Sequence, residues 1–270
     1  MVVLQTGLIP HASGSAYLEL EPSAIAQHRS FIPTTSTIKL SCAVQGPKPL
    51  SRNAHFSPNL QINASVKLAP FATRQRRGYL RDNIERDLGA HLENALNGVV
   101  ILDRWPKSSL DVAVTVLEGE EDCLWNEERG QEKGVSGVGL MNVLAGSINV
   151  AVAALVNANI DCLDLLVGGV AAKMADTKSE ILDPCPSEHE EIAAATVVGY
   201  LPCRDEVVEI WNKSSNTNDS YQTFENLTDA AVKAAKGVHK VLAEILVEDA
   251  QNQQKQYERQ QTNDMMMMKT

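Results

Sequence analysis

Arginines concentrated in one short segment are the residues whose type and spacing most clearly indicate chemistry. Residues 72–81 read ATRQRRGYLR and hold Arg74, Arg76, Arg77 and Arg81, in a 270-residue chain with a net charge of −10. A guanidinium group donates paired hydrogen bonds to phosphate oxygens, so this segment suits sequence-independent binding of RNA phosphates. The arginines could instead pair with carboxylates of a neighbouring protein, and the sequence leaves both interpretations open.

Residues for acid–base or nucleophilic catalysis are less distinct. Carboxylates cluster at Glu188, Glu190 and Glu191, but such a run at a strand edge is more often a solvated turn than an acid–base pair. The chain contains no G-x-x-x-x-G-K-[ST], G-x-S-x-G or H-E-x-x-H motif. Two glycines precede a long apolar segment, but the third, Gly146, lies too far on for a dinucleotide-binding loop. We therefore expect no cofactor.

Cysteine and histidine spacing indicates neither a metal site nor a disulfide framework. The five cysteines are widely spread and include no C-x-x-C pair, which fits reduced thiols in the nucleus or cytosol. The six histidines lack metal-ligand spacing, so we expect no metal site. The N-terminal segment lacks a charged region followed by a sustained apolar run, and we expect neither secretion nor a membrane span.

The rest of the chain is organised around the stretch from residue 139 to residue 195. Its first part is apolar on almost every side, with Asn142, Ser147 and Asn149 as polar interruptions, so it predicts a buried helix. Asn157 and Asn159 mark the end of that helix. Residues 163–170 form an apolar run with two glycines, which predicts a central strand covered on both faces. A buried helix that leads into a buried strand indicates a layered α/β fold.

Further elements follow on either side of this stretch. Alternating apolar residues predict strands at residues 15–20, at 37–44 before a turn at Gly46-Pro47, and at 60–68, 110–117, 193–201 and 206–211. Asp82 and Glu85 have the spacing of a capping box, and an apolar stripe continues from there to Val99. A second amphipathic helix is predicted at residues 225–247.

Polar segments interrupt or follow these elements. Residues 21–36 are rich in Pro, Ser and Thr and predict an inserted surface loop. Residues 118–137 form an acidic insertion, which predicts a solvated loop; Trp125 could instead anchor a neighbouring protein. Residues 251–270 are Gln-rich and end in a methionine run, which predicts a disordered tail. We therefore expect one domain at residues 1–250, followed by this tail.

Several short motifs, taken together in order, resemble the ribonuclease PH-like superfamily. They are T-G-L-I at residues 6–9, G-S-A-Y-L-E at 14–19, C-A-V-Q-G-P at 42–47, A-P-F-A at 69–72, L-D-R-W-P-K-S at 102–108, D-L-L-V-G at 164–168 and L-D-P at 182–184. The combination of G-S-A-Y-L-E with A-P-F-A-x-R-x-R-R is most similar to RNA exosome ring subunits of the mRNA transport regulator type. The resemblance covers most of the chain.

The resemblance implies a fold, partners and a location. The fold is α+β or α/β, with the β-α-β-α arrangement of ribosomal protein S5 domain 2-like proteins, in which mixed sheets pack with helices. The implied partners are related subunits of a six-membered ring around an RNA channel, one of them forming a heterodimer with this chain. S1- and KH-type cap subunits and RNA are also implied partners. The implied location is the nucleus and nucleolus, and also the cytoplasm.

The same resemblance implies that catalytic groups are missing. Active members hold phosphate with a G-T-R segment, and its positions align with Asn142, Val143 and Leu144. They also carry two aspartates six residues apart, and these align with His189 and Ala195. Leucine lacks the charge and hydrogen bonds of arginine, and alanine can neither bind metal nor transfer a proton. A shift of one or two residues in this alignment would make Glu188, Glu190 or Glu191 candidates.

Three functions therefore remain open at this stage. The resemblance favours a non-catalytic ring subunit that supports 3′-to-5′ RNA processing and degradation, including rRNA maturation and mRNA turnover. An active phosphate-dependent 3′-to-5′ exoribonuclease is the second. A small-molecule α/β enzyme unrelated to RNA is the third, and it would require a pocket with convergent polar groups near Asn142 and His189.

Overall fold

A computed structural model describes residues 2–21, 37–50, 56–72, 78, 82–119, 137–174, 180–185, 192–214 and 221–267. These residues form two sheets, three α-helices and a short 3-10 helix at Leu102–Arg104, joined by turns. The first sheet has the strand order β1-β2-β3-β5-β4 and the second has the order β7-β6-β8-β9. The strands of the first sheet are β1 (Val2–Thr6), β2 (Gly14–Leu20), β3 (Ile38–Pro49), β4 (Gln61–Leu68) and β5 (Ser108–Glu118).

The second sheet and the helices complete four layers. The second sheet contains β6 (Val167–Met174), β7 (Glu180–Leu182), β8 (Ile192–Leu201) and β9 (Glu206–Ser214), and the helices are α1 (Asn83–Asn97), α2 (Val138–Asn157) and α3 (Tyr221–Met267). Helix α1 contacts β4 and β9, α2 contacts both sheets, and α3 packs on β6, β7 and β8. The layers therefore alternate as sheet, helices, sheet and helix, which confirms the predicted β-α-β-α fold.

Strand pairing explains how α1 reaches its place between the sheets. Strands β4 and β5 pair in parallel, from Gln61 opposite Ser109 to Leu68 opposite Val116. A parallel pair requires a crossover connection, and α1 lies in that connection. The other ladders are antiparallel. The inward side chains of β4 and the stripe along α1 are buried against each other, as their spacing predicts.

Helix α2 is buried because it lies between the two sheets. By length and composition it could cross a membrane, but the apolar window is wholly buried inside the protein. Its polar residues all have partners: Asn142 Nδ2 donates to Pro184 O at 2.8 Å, Ser147 Oγ donates to Val143 O at 2.7 Å, and Asn149 Oδ1 accepts from Gly168 N at 2.8 Å. The buried helix predicted from the sequence is therefore confirmed.

Two successive glycines allow helices to approach both faces of β6. A Cβ atom at Gly168 would lie 2.7 Å from Ala145 Cα of α2, and a Cβ atom at Gly169 would lie 2.4 Å from Ala231 O of α3. Because successive strand residues point to opposite faces of a sheet, Gly168 faces α2 and Gly169 faces α3. Strand β6 is thus in direct backbone contact with both helical layers.

Several predicted boundaries differ from the structure, among them the start of α3 at Tyr221 rather than at residue 225 and the end of β9 at Ser214 rather than at residue 211. Three further differences have identifiable causes. Strand β6 begins at Val167 rather than at residue 163, because the preceding backbone bonds elsewhere: Leu163 N donates to Val99 O at 2.8 Å. Strand β3 continues past the predicted turn at Gly46-Pro47 to Pro49. Its pairing with β5 has a register shift between Gln45 and Lys48, so the Gly-Pro pair forms an irregularity within a strand.

The third boundary is the end of α3. The backbone is helical through Met267, although residues 251–267 are part of the segment predicted to be disordered. Gln, Lys, Glu, Arg and Met have favourable helix propensities, and no Gly or Pro interrupts this segment. The short strands β1 and β7 were not predicted. The predicted Pro/Ser/Thr-rich loop and acidic insertion lie almost entirely outside the described residues.

Candidate functional site

The positions aligned with a phosphate-binding segment lie in the first half of α2. Leu144 is 0% exposed and belongs to the main apolar core. Asn142 is also buried and uses its Nδ2 to fix the Pro184 carbonyl, which follows β7. A leucine side chain enclosed by apolar neighbours offers an anion neither a charge nor a hydrogen bond.

One of the two positions aligned with catalytic aspartates is described. Ala195 lies in β8, opposite Ala172 of β6 and Lys213 of β9, and it is 0% exposed. It belongs to the same apolar core as Leu144. His189 and the carboxylates Glu188, Glu190 and Glu191 lie outside the described residues. The structure therefore brings Leu144 and Ala195 into one dry core, where neither side chain can transfer a proton.

Two of the described cysteines are unsuited to act as nucleophiles. Burial raises the pKa of the Cys42 thiol far above neutrality and that of Cys162 to about 11, so both remain protonated thiols at neutral pH. Among the described cysteines there is no disulfide. Within the same residues, no three His, Cys, Asp or Glu side chains form a group that could hold a metal ion.

The four arginines predicted to contact RNA all lie outside the described residues, but both ends of their segment are described. At the first end, Ala69 N donates to Val116 O at 2.9 Å, and Ala72 N donates back to Ala69 O at 2.9 Å. Gly119 N then donates to Ala72 O at 3.2 Å. The turn that precedes the arginines is therefore attached to the end of β5.

The second end of the arginine segment is the capped start of α1. Asp82 Oδ1 accepts from Asn83 N at 2.8 Å, and Asp82 N donates to Glu85 Oε2 at 3.4 Å. With the bond from the Glu85 backbone to the Asp82 side chain, these contacts complete the predicted capping box. Sequence reasoning missed one more bond: Glu85 Oε1 accepts from Leu68 N, at the end of β4, at 2.9 Å.

Comparison of the sequence with known proteins identifies relatives of this chain. A sequence profile of the 3′ exoribonuclease family, domain 1, matches residues 1–161. The chain is 45% identical over 250 residues to the exosome complex component MTR3 of Chaetomium thermophilum, covering 92% of this chain and 84% of that relative.

Solved structures show the same fold at low sequence identity. Rice Rrp46 matches with a TM-score of 0.65 and 17% identity, covering 91% of this chain and 94% of its own. The Archaeoglobus fulgidus exosome with RNA bound to the active site matches with a TM-score of 0.64 and 16% identity, covering 89% and 87%. At these identities the two structures are evidence for the fold alone.

Proposed function

This chain belongs to the 3′ exoribonuclease family of ribonuclease PH-like proteins, and from that membership we propose that it is a non-catalytic structural subunit of the RNA exosome ring. The observation that carries the proposal is the 45% identity, over most of both chains, to an exosome complex component. In the ring the chain supports 3′-to-5′ RNA processing and degradation, including rRNA maturation and mRNA turnover, and helps to line the RNA channel.

The proposed partners follow from this place in the ring. Other ribonuclease PH-like subunits flank the chain, one of them as a heterodimer partner, and S1- and KH-type subunits cap the ring over the RNA path. The proposed location is the nucleus and nucleolus, with a further pool in the cytoplasm. Imaging of a fluorescently tagged chain at its native expression level tests the location, and a signal restricted to an organelle lumen would reject it.

The absence of catalysis is supported by the burial of Leu144 and Ala195. Both side chains are fully enclosed in the core that α2 shares with the second sheet. An arginine or aspartate side chain at either position would lose its hydration, and none of the buried residues that the structure describes in this core carries an opposite charge. The free energy of burying such an unpaired charge is strongly unfavourable. The alternative of an active phosphate-dependent exoribonuclease would require carboxylates near residues 188–191 to act in place of the missing groups.

Native mass spectrometry after affinity purification from the source cells tests the ring assignment. We expect the tagged chain in a complex whose mass equals six related ring subunits with or without the cap, because an exosome component assembles with its relatives. Dissociation at higher collision energy should release a heterodimer that contains the chain. A free monomer, or a complex without ribonuclease PH-like partners, would contradict the assignment.

Replacing Arg74, Arg76, Arg77 and Arg81 together with alanine should weaken RNA binding by the assembled ring. Each lost phosphate contact to a single strand lowers the slope of log affinity against log salt by about 0.7, so we expect an affinity loss of roughly ten-fold or more at low salt. Fluorescence anisotropy of a labelled oligoadenylate measures both quantities. Pairing of the arginines with a neighbouring subunit would instead weaken ring assembly.

The control for this experiment removes the same charge elsewhere. Arg204, Lys233, Lys240 and Lys255 are exposed, and they lie on the turn before β9 and on α3. Their joint replacement by alanine should change RNA affinity much less than replacement of the four arginines. Equal effects of the two sets would show that net charge alone governs binding, and unchanged affinity in the arginine variant at low salt would reject its RNA role.

A further inference from the structure

Strand β1 forms one edge of the first sheet. It pairs with β2 on one side and with no other strand among the described residues. Gly7 N donates to Ser15 O at 2.9 Å, one position beyond the pairing of Thr6 with Ala16. Hydrogen-bonded pairs alternate along an antiparallel ladder, so Leu4 and Thr6 direct their N–H and C=O groups away from β2. These backbone groups can therefore pair with a further strand.

The other edge strands of the two described sheets carry features that discourage pairing with another protein. Strand β4 carries Lys67, and β7 is only three residues long. Strand β9 carries Glu206 and Lys213, and its pairing with β8 has a register shift. Charges, bulges and short length are means by which natural edge strands avoid pairing. Strand β1 reads VVLQT and has no charge, proline or register shift, so its chemistry fits a strand that a partner covers.

The loop that follows β1 presents two apolar side chains to solvent. Leu8 is 53% exposed and Ile9 is 36% exposed. We call β1 together with residues 7–13 the β1 edge, and it contains no Lys, Arg, Asp or Glu. Without a lysine or an arginine, this surface offers RNA phosphates no charge complement. The matching partner is therefore an apolar protein surface.

Hydrogen bonds fix the position of this loop. Ile9 is held through both backbone groups: its N–H donates to Ser15 Oγ at 2.9 Å, and its carbonyl accepts from Ala12 N at 3.2 Å. Ser15 is 1% exposed, and its own N–H donates to Asn157 Oδ1, at the end of α2, at 3.1 Å. A loop that is fixed before binding loses little conformational entropy when a partner covers it.

We propose that the β1 edge binds an extended strand of a neighbouring ribonuclease PH-like subunit in the ring. The inference rests on the proposed function, because each member of a closed ring contacts two neighbours. Permanent interfaces between subunits are more apolar than transient ones, and the β1 edge combines an uncharged apolar surface with open backbone groups. The partner strand pairs with Leu4 and Thr6, and its apolar side chains pack against Leu8 and Ile9.

The experiment measures dissociation of the reconstituted ring on dilution, by mass photometry. Leu8 and Ile9 are replaced together with aspartate, which places charge in the apolar part of the contact. Loss of two such anchors should raise the protein concentration at which half of the rings dissociate by about ten-fold or more. The control combines Asn94→Asp with Asn97→Asp, at exposed positions of α1. It adds the same charge away from the β1 edge, and we expect the native midpoint.

A second comparison tests the strand pairing itself. Thr6→Pro removes the N–H that faces the open edge, and the ladder with β2 does not use that N–H. Thr6→Val keeps the N–H and loses the hydroxyl, which donates to Asp249 Oδ2 at 2.7 Å. We expect Thr6→Pro to weaken the ring more than Thr6→Val does. Equal midpoints for the two variants would overturn the proposed strand pairing.

Hydrogen exchange in the native ring gives an independent result, which decides if a variant fails to fold. The N–H groups of Leu4 and Thr6 should exchange slowly because the partner strand accepts them. Exchange of both groups at the rate of an open edge would overturn the inference.

Two further outcomes separate this inference from the proposed function. If the Leu8 and Ile9 variant keeps the native ring midpoint, only this inference fails, and loss of a cap subunit or of RNA affinity in that variant would identify a different occupant. If the native chain forms no ring with ribonuclease PH-like subunits, the proposed function fails and the inference with it.

Discussion

Replacing Leu144 with arginine is expected to prevent folding rather than to restore phosphate binding. Leu144 is 0% exposed, in the core that α2 shares with both sheets. An unpaired guanidinium there costs several kcal/mol, comparable with a total folding stability of roughly 5–15 kcal/mol. Co-expression with the ring subunits, followed by soluble yield and ring incorporation, measures the effect, and we expect both to be nearly abolished.

Leu144→Met is the matched control for this prediction. It keeps an apolar side chain of similar volume, so we expect a loss below about 1.5 kcal/mol and normal ring incorporation. A Leu144→Arg chain that entered the ring with an unchanged melting temperature would show that position 144 is solvated. If that chain also bound inorganic phosphate, the interpretation that Leu144 fills a former anion site as part of the apolar core would be wrong.

Replacing Gly169 with alanine should destabilise the protein strongly. The added Cβ would lie 2.4 Å from Ala231 O and 2.6 Å from Ala235 N, both backbone atoms of α3. Neither atom can move without shifting the helix, so we expect a cost of about 1–3 kcal/mol or more from overpacking. The melting temperature of the ring, compared with that of the native assembly, measures the change.

Gly199→Ala provides the control on the neighbouring strand β8. There the added Cβ would lie 3.4 Å from Glu209 Cβ and 3.6 Å from Leu166 Cδ1, which are tolerable side-chain distances. We expect a change of less than about 1 kcal/mol in either direction, since alanine also reduces the freedom of the unfolded chain. Equal effects at the two glycines would show that α3 does not depend on close contact with β6.

Much of the fold could be predicted because the spacing of apolar and capping residues in the sequence matches their burial and contacts in the structure. Asp82 and Glu85 have capping-box spacing, and the structure forms that box. The α2 segment is apolar on almost every side, which predicts a buried helix, and the two sheets that α2 contacts bury it. Short or irregular elements were not predictable, because their cause is non-local: Leu163 pairs with Val99 instead of starting β6.

The environment of the candidate site could not be predicted from the sequence. That Leu144 and Ala195 align with catalytic positions of active relatives stays a prediction from the resemblance, whereas the structure shows that both side chains are buried and belong to one apolar core. The capping box identified Glu85, but its bond to Leu68 depends on how β4 meets α1. Sequence periodicity carries no information on such a contact between the ends of a connection.

Phosphorolysis by the assembled ring is the most direct test of a subunit that keeps the fold without the chemistry. The ring, without any separate nuclease subunit, is incubated with single-stranded RNA and inorganic phosphate. Nucleoside diphosphates are measured alongside a ring in which Glu188, His189, Glu190 and Glu191 of this chain are all replaced by alanine. The account predicts no nucleoside diphosphates that depend on this chain, so the two rings give the same result. Nucleoside diphosphates that form with the native chain and vanish with the four-residue variant would contradict it.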